Sequence, residues 1–266
     1  MELLANRGND SRHHRAPWAG IDTACWDLIG KATGKPVYEL LAVDGAPDPA
    51  VGPDFRLMHE AMGMNLGSLE AVITEFAPVL EDLGFYWFEE AFGGTQFDHI
   101  ELFLQLKEAT PTVLVSGGER FLERFEAQEW LDHRALDIVQ SDCNVTGLTE
   151  NWYIARMANQ RGIRSIPHNW HGGGTTMVNA HFVAAIPNRE YCELNQTYNP
   201  LKEGIFKEPL TVEDGVMTLS NKPGYGVELI DDMEKVFPYE PGAYMQPNPP
   251  RAEPIEQEPN RVLAGI

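Results

Sequence analysis

The chain alternates short apolar runs with longer segments in which apolar residues recur at helical spacing. The runs are FRLMHE ending at Glu60, FYWFEE at Glu89, TVLVSGGE at Glu119, LDIVQSD at Asp142, IRSIPH at His168 and YCELN at Glu193, with polar ends 29, 30, 23, 26 and 25 residues apart. That spacing suits a βα unit, because an eight-unit barrel takes about 250 residues. Helices are predicted at 17–42, 68–82 (with Pro78 as a kink), 97–108, 121–132, 147–161 and 174–185. In the first, Pro17 suits an opening turn, Ile21, Cys25, Leu28 and Ile29 recur with helical period, and Gly34 and Pro36 end it. Strand and helix in alternation predict an α/β fold, a parallel sheet with helices outside it. Residues 43–53 read as a Pro/Gly linker, and 238–266, with seven prolines, as an extended tail.

Composition narrows the class. A hydrophobic fraction of 43% and a charged fraction of 23% are ordinary for a globular chain of 266 residues. No apolar run is long enough for a membrane helix, and the polar stretch from Met1 to Pro17 lacks a secretory core, so a cytoplasmic location is expected. Cys25, Cys143 and Cys192 lack metal-type spacing and are expected to be buried, reduced thiols. The net charge of −20 argues against nucleic-acid and anionic-membrane partners, which need a basic face. An acidic substrate would then need a local cation to reverse the field.

The polar ends of the runs supply one. Catalytic groups of parallel α/β barrels sit at the C-terminal ends of strands, and here those ends carry Glu60, Glu89, Glu119, Asp142, His168 and Glu193 in order. Converging carboxylates repel, and a hard divalent cation with oxygen ligands resolves the repulsion. Glu60, Glu89 and Glu119 are therefore the candidate Mg²⁺ ligands. Asp142 and His168 fall on successive strands; a carboxylate beside an imidazole fixes its tautomer and raises its basicity, making His168 a candidate general base or acid. His168 and His171 as a zinc pair lack further ligands at matching spacing. His171-Gly172-Gly173-Gly174 has no accompanying nucleophile motif, and Trp170 is a candidate pocket residue.

These motifs resemble the mandelate racemase and muconate lactonizing group of the enolase superfamily. The segment APWAGIDTACWDLIGKATGKPVYELLA is similar to the junction between its capping domain and barrel. LMHEAM, YWFEEAF, SGGERF, VQSDCNVTGLTE, IPHNWHGG and AAIPNREYCEL match its barrel motifs in order, over about residues 16–237. The resemblance implies Mg²⁺ on Glu60, Glu89 and Glu119, an Asp142–His168 dyad, and Glu193 as an acid that hydrogen-bonds the substrate carboxylate. The implied chemistry is abstraction of the proton next to a carboxylate. Dehydration of a sugar acid is the leading expectation, with a hydroxy-acid racemase or epimerase, or a non-catalytic remnant, as alternatives.

The sequence departs from the pattern at three places. Glu60 stands where the family usually has Asp, and Ala91 where it has Pro. Only 17 residues separate Leu41 from His59, a stretch where the family has two further βα units and a Lys-x-Lys base. No lysine occurs between Lys35 and Lys107. The expected architecture is thus an incomplete (β/α) TIM-like barrel lacking the capping domain and about two βα units, with 1–42 as the junction helix region, 43–237 as the partial barrel and 238–266 as the tail. Open sheet edges leave three outcomes: closure as a smaller sheet, pairing with another subunit, or an unstable relic. A homo-oligomer is expected.

Overall fold

The computed structural model describes residues 10–42, 48, 50–51, 60–62, 69–92, 99–170, 172–195, 200–208 and 210–238. The chain forms two compact units, Met1–Ile230 and Asp231–Ile266. The first carries α1 (Asp10–Thr33), α2 (Val37–Leu41), β1 (Ala50–Val51), β2 (Glu60–Met62), α3 (Leu69–Ala71), α4 (Ala77–Asp82) and β3 (Trp87–Glu89). It continues with α5 (Ile100–Ala109), β4 (Leu114–Gly117), α6 (Arg124–Asp132), β5 (Ile138–Val139), α7 (Cys143–Thr146), α8 (Leu148–Gln160) and β6 (Arg164–Ser165). Then follow α9 (Gly173–Ala185), α10 (Pro200–Glu203), β7 (Val212–Glu213) and β8 (Val216–Thr218). In the second unit the described part includes one helical turn, α11 (Met233–Val236), entered through Asp232 at φ 55°.

β2 to β6 form a parallel sheet in sequence order, as the alternation of runs predicts. The register aligns Met62, Glu89 and Ser116 across β2, β3 and β4, and Gly117, Val139 and Ser165 across β4, β5 and β6. The C-terminal ends of the strands thus share one edge. One face of the sheet carries Trp87, Ile138 and Ile166, which cluster with Tyr191. The opposite face, with Phe88, Val115 and Val139, packs under the helices against Phe103, Trp130 and Ile154. The Phe103 and Trp130 rings meet edge to face at 4.9 Å, an arrangement that adds to their area burial.

Several expectations are corrected. The first helix begins at Asp10 and takes Pro17 into its interior. Gly34, at φ 70°, and Pro36 end it as predicted, and Pro36 starts α2. The kink at Pro78 is absorbed by a π-helical stretch, Val72–Phe76, between α3 and α4, one of the known responses to a lost backbone donor. YCELN forms no ladder strand; a single parallel bridge joins Arg189 to Ser165. A small antiparallel sheet, β1–β8–β7, has no counterpart in the sequence reading. Cys143 is buried, but Cys25 is exposed. Among the described residues no helix is long and apolar enough to cross a membrane.

α1 presents its polar side inward. Asp22 accepts hydrogen bonds from the backbone N–H (2.8 Å) and hydroxyl (2.6 Å) of Thr149 in the first turn of α8. Asp27 accepts from the Tyr225 N–H at 3.0 Å. Gly30 lies against Gly224 so closely that a Cβ there would stand 2.6 Å from the Gly224 Cα. Trp18, Ile21, Leu28 and Ile29 face solvent, at 68%, 54%, 65% and 45% exposure. The helical period found in the sequence is therefore the outer face of the helix.

Candidate metal and acid–base centre

The residues beyond the ends of β3 to β6 meet at the shared edge of the sheet. Glu89, the last residue of β3, is fully buried. Its Oε2 accepts from Gln140 Nε2 at 2.8 Å and from Trp87 Nε1 at 3.3 Å. Two neutral donors orient the carboxylate without cancelling its charge.

Glu90 turns back from the strand at φ 45°, a left-handed conformation that costs about 1–3 kcal/mol outside glycine. Its own N–H donates to the Ser116 carbonyl (3.1 Å), and its Oε1 accepts from the Gly118 N–H (2.8 Å). That bond ties β3 to the loop that presents Glu119. Burial, then the charge of Glu119, push the Glu90 carboxyl up to about 7; the Gly118 bond and Arg120 oppose the rise, and Glu89 adds to it.

Asp142 does two jobs. Its Oδ1 accepts from the Asn144 N–H (2.7 Å), capping α7. Its Oδ2 lies 2.8 Å from His168 Nδ1. An ionised carboxylate only accepts, so Nδ1 carries the proton and donates it. His168 Nε2 is thereby aimed at Glu119, whose Oε2 is 3.3 Å away. Asn179 on α9 holds the backbone here, donating to the His168 carbonyl at 3.0 Å. Burial pulls the imidazole pKa down, but the Asp142 hydrogen bond and the charges of Asp142, Glu193 and Glu119 outweigh it, giving a net rise to about 9.

Glu193 accepts from the Asn169 N–H, and Asn169 Nδ2 donates to the Glu193 carbonyl and to Thr176 Oγ1, each at 2.9 Å. Burial pushes the Glu193 carboxyl up to about 7; His168 lowers it, Glu89 raises it, and the Asn169 bond lowers it. These mutual influences place Glu89, Glu90, Glu119, His168 and Glu193 in one electrostatic neighbourhood.

Five of the six sequence candidates therefore gather at one edge. Glu60 is in register with Trp87, two residues before the level of Glu89. At about 3.3 Å per residue, its backbone lies nearer the N-terminal end of the sheet than a strand tip does. Its side chain is outside the described residues, as is His171. Among the described residues no three His, Cys, Asp or Glu side chains form a metal-binding group. Trp170 is largely exposed. Sequence reasoning passed over Gln140, Glu90, Asn169 and Asn179. Gln140 and Asn169 sit inside the motifs already singled out, and a buried polar residue next to a strand-end acid is the signal that would have found them.

An enolase C-terminal domain-like family model matches residues 42–233. The chain is 32% identical over 208 residues to a D-galactarolactone cycloisomerase of Agrobacterium fabrum, covering 75% of this chain and 53% of that one. It is 28% identical over 267 residues to an arabinonate dehydratase of Saccharolobus solfataricus, covering 80% of this chain and 69% of that one. It thus spans about half the length of the first relative and about two thirds of the second. A solved mandelate racemase/muconate lactonizing enzyme-like protein from Rubrobacter xylanophilus shares the fold, with a TM-score of 0.70 at 24% identity over 84% of this chain and 76% of that one. The chain belongs to the enolase C-terminal domain-like family, within the mandelate racemase and muconate lactonizing group of the enolase superfamily.

Proposed function

We propose that this chain carries out Mg²⁺-dependent abstraction of the proton α to a carboxylate, and that its reaction is dehydration of a sugar acid. The observation that carries the reading is the Asp142–His168–Glu119 line, with Nδ1 held by one carboxylate and Nε2 directed at another. The relatives named as an arabinonate dehydratase and a D-galactarolactone cycloisomerase supply the substrate class.

The donor set fits a hard divalent cation. Glu89 and Glu119 are buried carboxylates at one edge, and their charges help raise the carboxyl pKa of Glu193 and Glu90. Excess buried negative charge of this kind is relieved by an ion with oxygen ligands. Glu89 and Glu119 would hold Mg²⁺, with Glu60 as third ligand. When bound, the ion supplies Lewis-acid stabilisation of the charge that proton loss places on the substrate carboxylate.

The chain's own groups do the rest. Asp142 keeps a proton on His168 Nδ1. With the pKa raised against burial to about 9 by the surrounding carboxylates, Nε2 is protonated near neutral pH. With a cation held by Glu89 and Glu119 that field would be offset, and Nε2 would have the free lone pair that accepts the α-proton. The same Nε2–H then protonates the departing β-hydroxyl, which leaves as water, and the enol that remains becomes a 2-keto-3-deoxy acid. Glu193, raised toward neutrality, would donate to the substrate carboxylate. A racemase would need a second base, and the chain has no lysine between Lys35 and Lys107.

The sheet β2–β6, extended by the bridge at Arg189, is read as part of a (β/α) barrel lacking about two βα units, with 1–42 as a junction region and 238–266 as a tail. A non-catalytic, degenerate barrel is the second reading, favoured by the register of Glu60, which sets the third candidate ligand back from the level of Glu89. Incubation with a panel of sugar acids separates the two. Formation of a 2-keto-3-deoxy acid that is lost in His168→Asn, with Mg²⁺ binding retained, supports the proposal. Turnover unchanged in His168→Asn removes the dyad from the mechanism.

A further inference from the structure

The outer face of α1 is built the wrong way round for a solvated helix. Its carboxylates Asp22 and Asp27 are engaged with Thr149 and Tyr225 on the inner side. Trp18, Ile21, Cys25, Leu28 and Ile29 all face outward. An exposed, contiguous apolar stripe of this kind marks an interaction surface.

We propose that this face pairs with the same face of a second copy, as an antiparallel two-fold helix pair centred on Cys25. Three features select a second copy as the occupant. First, positions 18, 21, 25, 28 and 32 alternate steps of three and four, the spacing of a coiled-coil seam. Second, the stripe is symmetric about its middle. A two-fold axis at Cys25 sets Trp18 beside the partner's Ala32, and Ile21 beside the partner's Ile29. An isologous interface requires such self-complementarity. Third, the stripe has no acid, although the chain carries a net charge of −20. Two copies repel through most of their surface and can approach closely where the acids are turned inward.

Close approach is also sterically open. Gly20 and Ala24 flank the seam and are exposed, and nothing lies within 4 Å of a Cβ built on Gly20. A groove of about 480 Å³ runs from Gly20 and Ala24 to Phe206, Val227 and Leu229, with Asp27, Lys31 and Glu228 also on its wall. The four large side chains expose on the order of 400 Å² per chain, near the largest apolar patch of an ordinary monomer. With the small residues and the groove, a pair would bury on the order of 1,200 Å², the lower edge of stable interfaces. The dimer is therefore expected to be weak, with a Kd on the order of micromolar. Helices packed 8–10 Å apart bring facing Cα atoms within disulfide range at the axis.

Sedimentation equilibrium of the full chain over a range of concentrations tests the proposal. A reversible monomer–dimer equilibrium is expected, weakened at least tenfold by Ile21→Glu and by Leu28→Glu. Both positions are solvent-facing, so thermal melts of the two variants should match that of the parent chain. Under diamide, which takes up the two thiol protons and two electrons, the dimer should become covalently linked through Cys25, and Cys25→Ser should abolish the link. A chain that stays monomeric at every concentration overturns the pairing. So does a dimer indifferent to both glutamate variants, which would place the contact elsewhere. A dimer weakened by Ile21→Glu but giving no Cys25 link overturns the two-fold register.

Discussion

His181 offers a stability test that reads the fold without reference to its chemistry. Its imidazole sits in α9 between the Tyr38 and Tyr225 rings, with centroids at 5.4 and 5.1 Å. Nδ1 accepts from the Tyr38 N–H and Nε2 donates to the Tyr225 carbonyl, both at 3.2 Å. That pair of partners specifies the neutral ring, because a proton on Nδ1 would face another N–H. Burial lowers its pKa to about 4, against small opposing effects of the Tyr225 carbonyl and Asp27. An unfolded histidine titrates near 6.5, so below that pH the unfolded chain binds the proton and the folded chain does not. Stability contributed by the neutral ring is complete above about pH 6.5 and is lost as pH falls toward 4. The loss is about 2 kcal/mol at pH 5 and about 3 kcal/mol below pH 4. Urea unfolding at about pH 7.5 and about pH 5 measures it. Glu90 and Glu193, both raised to about 7, take up protons in the folded state over the same interval and act in the opposite direction. His181→Gln keeps an amide donor and acceptor but cannot titrate, so the difference in pH response between parent and variant isolates the imidazole. The parent should lose about 2 kcal/mol more than the variant between the two pH values. Equal losses in the two proteins would refute the assignment of a neutral, doubly bonded ring.

Three further outcomes follow from the packing and the site. Gly30→Ala would ordinarily favour a helix by about 1 kcal/mol, but the close approach of Gly224 should reverse the sign and cost about 1–3 kcal/mol; a raised melting temperature would contradict it. Gln140→Leu removes the shorter of the hydrogen bonds that buried Glu89 Oε2 accepts from Gln140 and Trp87 and should cost about 1.5–3 kcal/mol by urea unfolding, where an unchanged midpoint would mean that Gln140 does not hold the carboxylate. Arg124→Ala breaks the part-buried pair with Glu150 and the stacking on Tyr153 at 3.5 Å; with both partners about a quarter exposed, the expected loss is only about 1 kcal/mol, and a loss above about 3 kcal/mol would show that the joint between α6 and α8 carries more than this pair.

The site was readable in the sequence to the extent that strand ends carry chemistry. Glu89, Glu119, Asp142, His168 and Glu193 each close an apolar run; the register of the parallel sheet brings the first four ends to one edge, and hydrogen bonds to Asn169 hold Glu193 beside them. Periodicity also found the helices, because burying one stripe against a sheet imposes the helical repeat. It failed where the repeat has another cause. The stripe of α1 has the spacing of a core face and lies outward, since spacing records which residues share a face and not which way it points. Residues 191–195 have a strand's composition, yet only Arg189 bridges to Ser165. Glu90 escaped notice because its role depends on a left-handed turn and a hydrogen bond to Gly118, neither of which leaves a mark in hydrophobic pattern.

Thermal unfolding in a Mg²⁺ titration tests the central claim most directly. A site built from Glu89 and Glu119 binds the ion only when folded, so Mg²⁺ at about 100 times its Kd should stabilise the chain by about 2.7 kcal/mol. Glu89→Gln and Glu119→Gln should each abolish the effect. A melting temperature indifferent to Mg²⁺, or a rise that both variants retain, would contradict the account.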